Sequence, residues 1–131
     1  MVRIRFEPAI CLVWAFFLIL FPLPWLLSAV LAALIHELCH LVMVILLGGD
    51  VTRIHVGVIG ARIDADMADE TGSLLAVLAG PLGSLLLSFL YIWEPKLAVC
   101  GLVQGIWNLL PFRTLDGGRL MEYLRQYRHG R

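Results

Sequence analysis

The sequence predicts an all-α polytopic membrane protein: about four transmembrane helices, a short β-hairpin after the second, and a C-terminal helix. Three observations carry this. The 131 residues are 60% hydrophobic, with a mean hydropathy of +0.88. Only 15% are charged, against about a quarter in soluble domains. The apolar residues gather into four runs separated by Pro, Gly or charged breaks. The length predicts a single membrane-embedded domain over residues 1–131. Formal net charge is zero, so no global field argues for a nucleic-acid partner.

The first apolar run covers residues 9–21 and follows Arg3 and Arg5, a signal-peptide-like start. It continues through Phe21-Pro22-Leu23-Pro24 without a small-residue cleavage site, so it is expected to be retained. It is short for a full span, which needs roughly 20 residues. Pro22 and Pro24 break the helix there. The second run, residues 25–47, ends at Gly48-Gly49-Asp50, where Gly suits the position after a helix. Then the texture changes. Ile54, Val56 and Val58 alternate with Arg53, His55 and Gly57, and beyond Gly60, Ala61 and Ile63 alternate with Arg62 and Asp64. Period two with a central Gly predicts a hairpin. Asp66, Asp69 and Glu70 read as a solvated linker.

The third run, residues 72–93, contains Gly80-Pro81, and Gly80, Ser84 and Ser88 make a stripe of small residues. Such a stripe lets another helix approach closely, within one chain or between two, which leaves a homo-oligomer open. Pro81 frees backbone groups that neighbours must satisfy. After the polar turn Glu94-Pro95-Lys96 comes the fourth run, residues 97–110, ended by Pro111. A helix over about residues 117–126 and a basic tail follow. Cys11, Cys39 and Cys100 lie in apolar surroundings at no thiolate-zinc spacing and read as small buried hydrophobes.

Cation placement sets the topology. With four crossings, Arg3, Arg5, Arg53, Arg62, Arg113, Arg119, Arg125, Arg128 and Arg131 share one side, and Lys96 is alone on the other. The positive-inside rule then puts both termini and the hairpin in the cytoplasm, as for an integral protein of a bacterial inner or cell membrane.

Chemistry concentrates in His36-Glu37-Leu38-Cys39-His40, inside the second apolar run. Two His four apart lie about 40° from each other around a helix. That spacing suits two imidazoles on one Zn²⁺ with the intervening Glu as general base. Ionisable groups inside a membrane helix are costly and mark function by default; the plainer alternative is a pair of satisfied core histidines. Zinc needs a third protein ligand. His55 and His129 lie outside the apolar runs, whereas Asp116 follows the fourth run and precedes Gly117-Gly118. Asp116 can ligate, or it can simply cap the last helix.

On His36-Glu37-Leu38-Cys39-His40, Gly80-Pro81 and the Asn108…Pro111…Asp116-Gly117 stretch, the chain resembles the site-2 proteases, zinc metalloproteases that cut within the membrane. The small size and the hairpin after the motif helix resemble the compact bacterial, sporulation-type branch. The resemblance implies His36, His40 and Asp116 as zinc ligands, Glu37 as catalytic base, and Asn108 as the residue that orients substrate or stabilises the oxyanion. It also implies a membrane-anchored protein or peptide as substrate, received as a strand at the hairpin edge. Two positions depart from the family pattern. Cys39 stands where Gly is frequent before the second His, and Ser84 stands where many members have Asn. The alternatives are a non-catalytic metal-binding membrane protein that holds substrates or partners, and a small channel or transporter subunit. Binding alone does not need Glu37, and transport does not need metal-ligand spacing.

Overall fold

The computed structural model describes the backbone of residues 3–6, 9–57, 60–67 and 69–129, and the side chains of residues 15–54, 65–67, 69–126 and 128. Val58 of the hairpin and Arg131 of the tail lie outside the described residues, as do the side chains of Arg3, Arg5, Cys11, His55, Arg62 and His129. The chain runs β1 (Arg3–Phe6), α1 (Ala9–Leu20), α2 (Leu23–Leu46), β2 (Asp50–Gly57), β3 (Gly60–Asp66), α3 (Glu70–Leu86), a 3-10 segment (Leu87–Ile92), α4 (Pro95–Asn108) and α5 (Asp116–His129). It is mostly helical, with one small sheet.

Among the described residues, two helical stretches are long and apolar enough to cross a membrane: Leu23–Leu46 and Glu70–Ile92. The other two apolar runs form helices of 12 and 14 residues, roughly 18 and 21 Å long, short of a bilayer core of roughly 30 Å. Four full-length spans are therefore not what the helix lengths give. Pro22 precedes α2 and ends the first run, and Pro95 is the first residue of α4, a position where a missing N–H costs nothing.

The outer face of α2 is apolar. Leu27, Leu31, Leu34 and Leu38 are 47–62% exposed, at three- and four-residue spacing along one stripe. Its inner face holds Leu26, Ala32, His36, His40 and Val44. A helix with leucines outward and histidines inward is inverted relative to a soluble one, and lipid is the solvent that tolerates it. Gly48, at φ 71°, terminates α2 in the left-handed conformation that glycine adopts without strain, and the Gly49 N–H donates back to Val44 O at 2.9 Å.

The sheet is larger than the hairpin read from the sequence. β2 and β3 pair antiparallel, with Thr52 bulged between Val51 and Arg53, and β1 pairs parallel to β2 from Arg3↔Arg53 to Phe6↔Val56. The order is β1-β2-β3, so β2 is central. β1 does alternate (Arg3, Ile4, Arg5, Phe6), but four residues before an apolar run read as a charged flank. The parallel pairing brings the chain back to the level at which it began. α1 and α2 together form the up-and-down connection that parallel strands require.

Asp69 is not just part of a solvated linker. Its carboxylate accepts from Gly72 N–H at 3.0 Å and caps α3, and Glu70 is the first residue of that helix. α3 crosses α2 and α4 at close range. A Cβ at Gly101 would lie 2.7 Å from Leu87 Cβ and 2.8 Å from Ser84 O, so backbone faces backbone. Ala32, Leu87 and Leu97 pack as a small core with Ile35 and Cys100 against them. Ser88 lies beyond α3 in the 3-10 segment and donates to Leu85 O at 2.7 Å.

Gly101→Ala has no flexible side-chain tip to push aside. It is expected to destabilise the fold by about 1–3 kcal/mol through overpacking, read as a lower midpoint in denaturant-induced unfolding of the detergent-solubilised protein.

Candidate metal centre

His36 and His40 project from one face of α2 and meet Asp116, the first residue of α5. His36 Nε2 lies 3.0 Å and His40 Nε2 3.1 Å from Asp116 Oδ2, and the two Nε2 atoms are 3.2 Å apart. Three ligand atoms thus form a nearly equilateral triangle. A tetrahedral zinc with ligands near 2.0–2.1 Å sets them roughly 3.3 Å apart, so the donor set and its spacing fit that ion. Among the described residues this is the one group of three potential metal-ligating side chains. His36 is 2% and His40 8% exposed.

Both imidazoles are held from behind. His40 Nδ1–H donates to Ala76 O at 2.7 Å. A carbonyl only accepts, so the neutral ring keeps its lone pair on Nε2, facing the triangle. His36 Nδ1 and Ser84 Oγ share a 2.8 Å hydrogen bond, and Ser84 is fully buried. Partners of this kind orient metal-ligating histidines. The hydroxyl standing in place of the frequent Asn therefore reaches a ligand directly.

Glycines make the room. A Cβ at Gly80 would overlap the His40 ring, and one at Gly83 would overlap Cys39 Sγ. Cys39 therefore points at α3 rather than into the triangle, and the close approach that Gly would give at position 39 is provided from the facing helix by Gly83. A Cβ at Gly117 would overlap the Leu109 carbonyl, and one at Gly118 that of Phe112. The double glycine lets the first turn of α5 fold back on the 109–113 loop, which delivers Asp116 to the histidines. The Leu115 carbonyl accepts from Gly118 N–H (3.1 Å) and Arg119 N–H (3.3 Å). Leu115 thus opens the helix, and the Asp116 carboxylate is left for the cluster. Burial pushes that carboxyl up, but the two imidazoles that face it outweigh burial and hold it well below the ordinary carboxylate range. It is an anionic donor.

Glu37 is partly buried beside this group, within electrostatic range of His40, Asp116 and Arg119. Asn108 ends α4, and its amide donates to Gln104 O, one turn back, at 3.1 Å. Among the described residues it makes no hydrogen bond to the cluster. Sequence reading singled out both histidines, Asp116 and Ser84. It did not give Ala76 or Gly83: a backbone carbonyl carries no residue signature, and Gly83 gains meaning only opposite Cys39.

The Peptidase M50B-like family profile matches residues 9–106. The chain belongs to that family. It is thereby a member of the site-2 protease family, whose proteins are membrane-embedded peptidases. The match includes His36, Glu37, His40 and Gly80-Pro81 and stops before Asn108 and Asp116; the fold itself carries Asp116 to the family's histidines. No curated protein matches the chain significantly.

Ser84→Ala leaves His36 Nδ1 buried without its partner. It is expected to weaken zinc binding roughly 10–100-fold, measured by competition against a chromophoric chelator. Gly80→Ala, which must displace the His40 ring, is expected to lower the zinc content of purified protein measured by elemental analysis.

Proposed function

We propose that the protein is an intramembrane zinc endopeptidase that hydrolyses a peptide bond in or near a transmembrane segment of a membrane-anchored protein or peptide. One observation carries the reading beyond the family. Two histidines of an apolar helix and an aspartate 76 and 80 positions away meet within 3.2 Å, with both imidazole backs occupied. A core that only needed to satisfy two histidines would not need three donors converging on one point, nor a glutamate beside them.

His36, His40 and Asp116 would hold the ion. Zinc there supplies Lewis acidity and makes water acidic enough to act as a nucleophile near neutral pH. Glu37 takes the proton of the attacking water on its carboxylate as the water oxygen bonds to the scissile carbonyl carbon. The same carboxylate then gives that proton to the amide nitrogen as the C–N bond breaks. Asn108 supplies a neutral donor to the developing oxyanion once its amide turns from Gln104. A substrate helix hides its peptide groups, so it must be unwound before cleavage. β2 is flanked on both sides, which leaves the outer edge of β1 or of β3 to take the extended substrate by strand addition.

The topology we propose has both termini on the cytoplasmic side, in a bacterial inner or cell membrane. The β1–β2 pairing supports it, because residues before α1 and after α2 share one sheet. His40 lies six residues before the end of α2 at Leu46, roughly 9 Å along the axis, so the centre is below the surface on the sheet side. The sporulation-type branch is the finer assignment we favour, on the chain's small size and the sheet directly after α2.

Glu37→Gln is expected to keep one zinc per chain and to lower cleavage of a membrane-embedded substrate by at least about 100-fold. His36→Ala and Asp116→Ala are expected to lose the zinc itself. Normal cleavage by the Glu37→Gln protein would remove Glu37 as the base; zinc-loaded wild type that cuts no membrane substrate would leave a metal-binding holding module.

A further inference from the structure

α5 carries the third ligand, yet it is not among the helices able to cross a membrane. After Asp116 its charges are Arg119, Arg125 and Arg128 against Glu122 alone. At 100° per residue, Leu124, Arg128, Met121 and Arg125 fall on an arc of about 100°. All four are exposed, with Met121 at 45% and Leu124 at 47%. Glu122 and Gln126 lie on a different sector. Leu120 and Tyr123 are partly buried, on the side where α5 packs against α3. The outward arc thus interleaves two large apolar side chains with two arginines. Just before α5, Trp107 and Phe112 are exposed at the end of α4 and in the loop, as aromatic groups are at a membrane–water interface.

We propose that this arc of α5 seats in the headgroup layer of an anionic leaflet. Met121 and Leu124 enter the acyl boundary and Arg125 and Arg128 bind lipid phosphates. Charge complementarity and continuity with the adjoining membrane segments select lipid over a protein partner. Arginine suits both needs, since its stem covers apolar surface while its guanidinium reaches phosphate. Asp116 is the first residue of the same helix, so seating α5 restrains the carboxylate against the histidines. This second consequence rests on Asp116 being a zinc ligand; the seating itself does not.

The test uses the full chain in nanodiscs of phosphatidylcholine alone or with phosphatidylglycerol. Hydrogen–deuterium exchange reads the amides of α5, and zinc loss to a chelator is followed in parallel. Two arginines at an anionic surface are expected to shift the seated population roughly 30-fold. α5 amides should exchange correspondingly more slowly with phosphatidylglycerol, and about 0.5 M salt should erase the difference. The Arg125→Gln/Arg128→Gln protein, which leaves the metal ligands intact, should exchange alike in both lipids. Zinc should leave the wild type more slowly in the anionic discs. Equal α5 exchange in the two lipids overturns the seating. Protection that follows the number of copies per disc instead of lipid charge also overturns it, in favour of a second copy of the chain. Lipid-dependent exchange with lipid-independent zinc loss overturns the coupling alone. A chain that holds no zinc fails the metal reading and leaves the exchange result standing.

Discussion

Two imidazoles and a carboxylate held together among apolar helices are the constraint that the rest of the molecule serves. Ionisable groups in such a place are costly unless each polar atom has a partner. Here Nδ1 of His40 donates to Ala76 O, Nδ1 of His36 shares a hydrogen bond with Ser84 Oγ, and the two Nε2 atoms turn toward Asp116 Oδ2. Among the described residues no buried side-chain nitrogen or oxygen lacks a hydrogen-bond partner. α3 therefore does more than span: it provides both groups that fix the rings, and it is tied to α2 by those bonds.

Helices in lipid gain nothing from burying leucine against leucine, because the tails are equally apolar. Close packing and polar contacts must do the holding, and the places without a Cβ show where. Gly80 admits the His40 ring, Gly83 admits Cys39, and Gly101 sets α4 against the backbone of α3. The bulky residues of α2, Leu27, Leu31, Leu34 and Leu38, are turned outward instead.

The unequal lengths of the helices have a consequence for chemistry. α2 and α3 are long enough to cross, while α1 and α4 are short, so the scaffold is deep in one part and shallow in another. The centre sits near the sheet end of α2, and α5 closes it from outside the spanning helices. A peptidase needs water and an extended substrate, and both are easier to provide at that end than at the bilayer midplane.

Much of this was legible in the sequence. The spacing of His36 and His40 puts them on one helical face whatever the fold, and low charge with long apolar runs requires lipid or complete burial. Gly117-Gly118 marked a close approach at Asp116, and the alternation around Gly60 marked the hairpin. Those signals are local: they act within a few residues along the chain. The third strand was missed because four residues are too few to establish a period, and only pairing with β2 makes them a strand. Whether Asp116 capped a helix or joined the histidines was open in the sequence, since both roles use the same atoms. The tertiary fold decided it, because α5 folds back on the 109–113 loop and Leu115 opens the helix in its place. Ala76 and Gly83 likewise have meaning only across the α2–α3 contact, where a carbonyl and a missing side chain act on residues some forty positions away. Local periodicity follows from covalent geometry; which distant atoms meet follows from packing, and a one-dimensional pattern does not encode that by proximity.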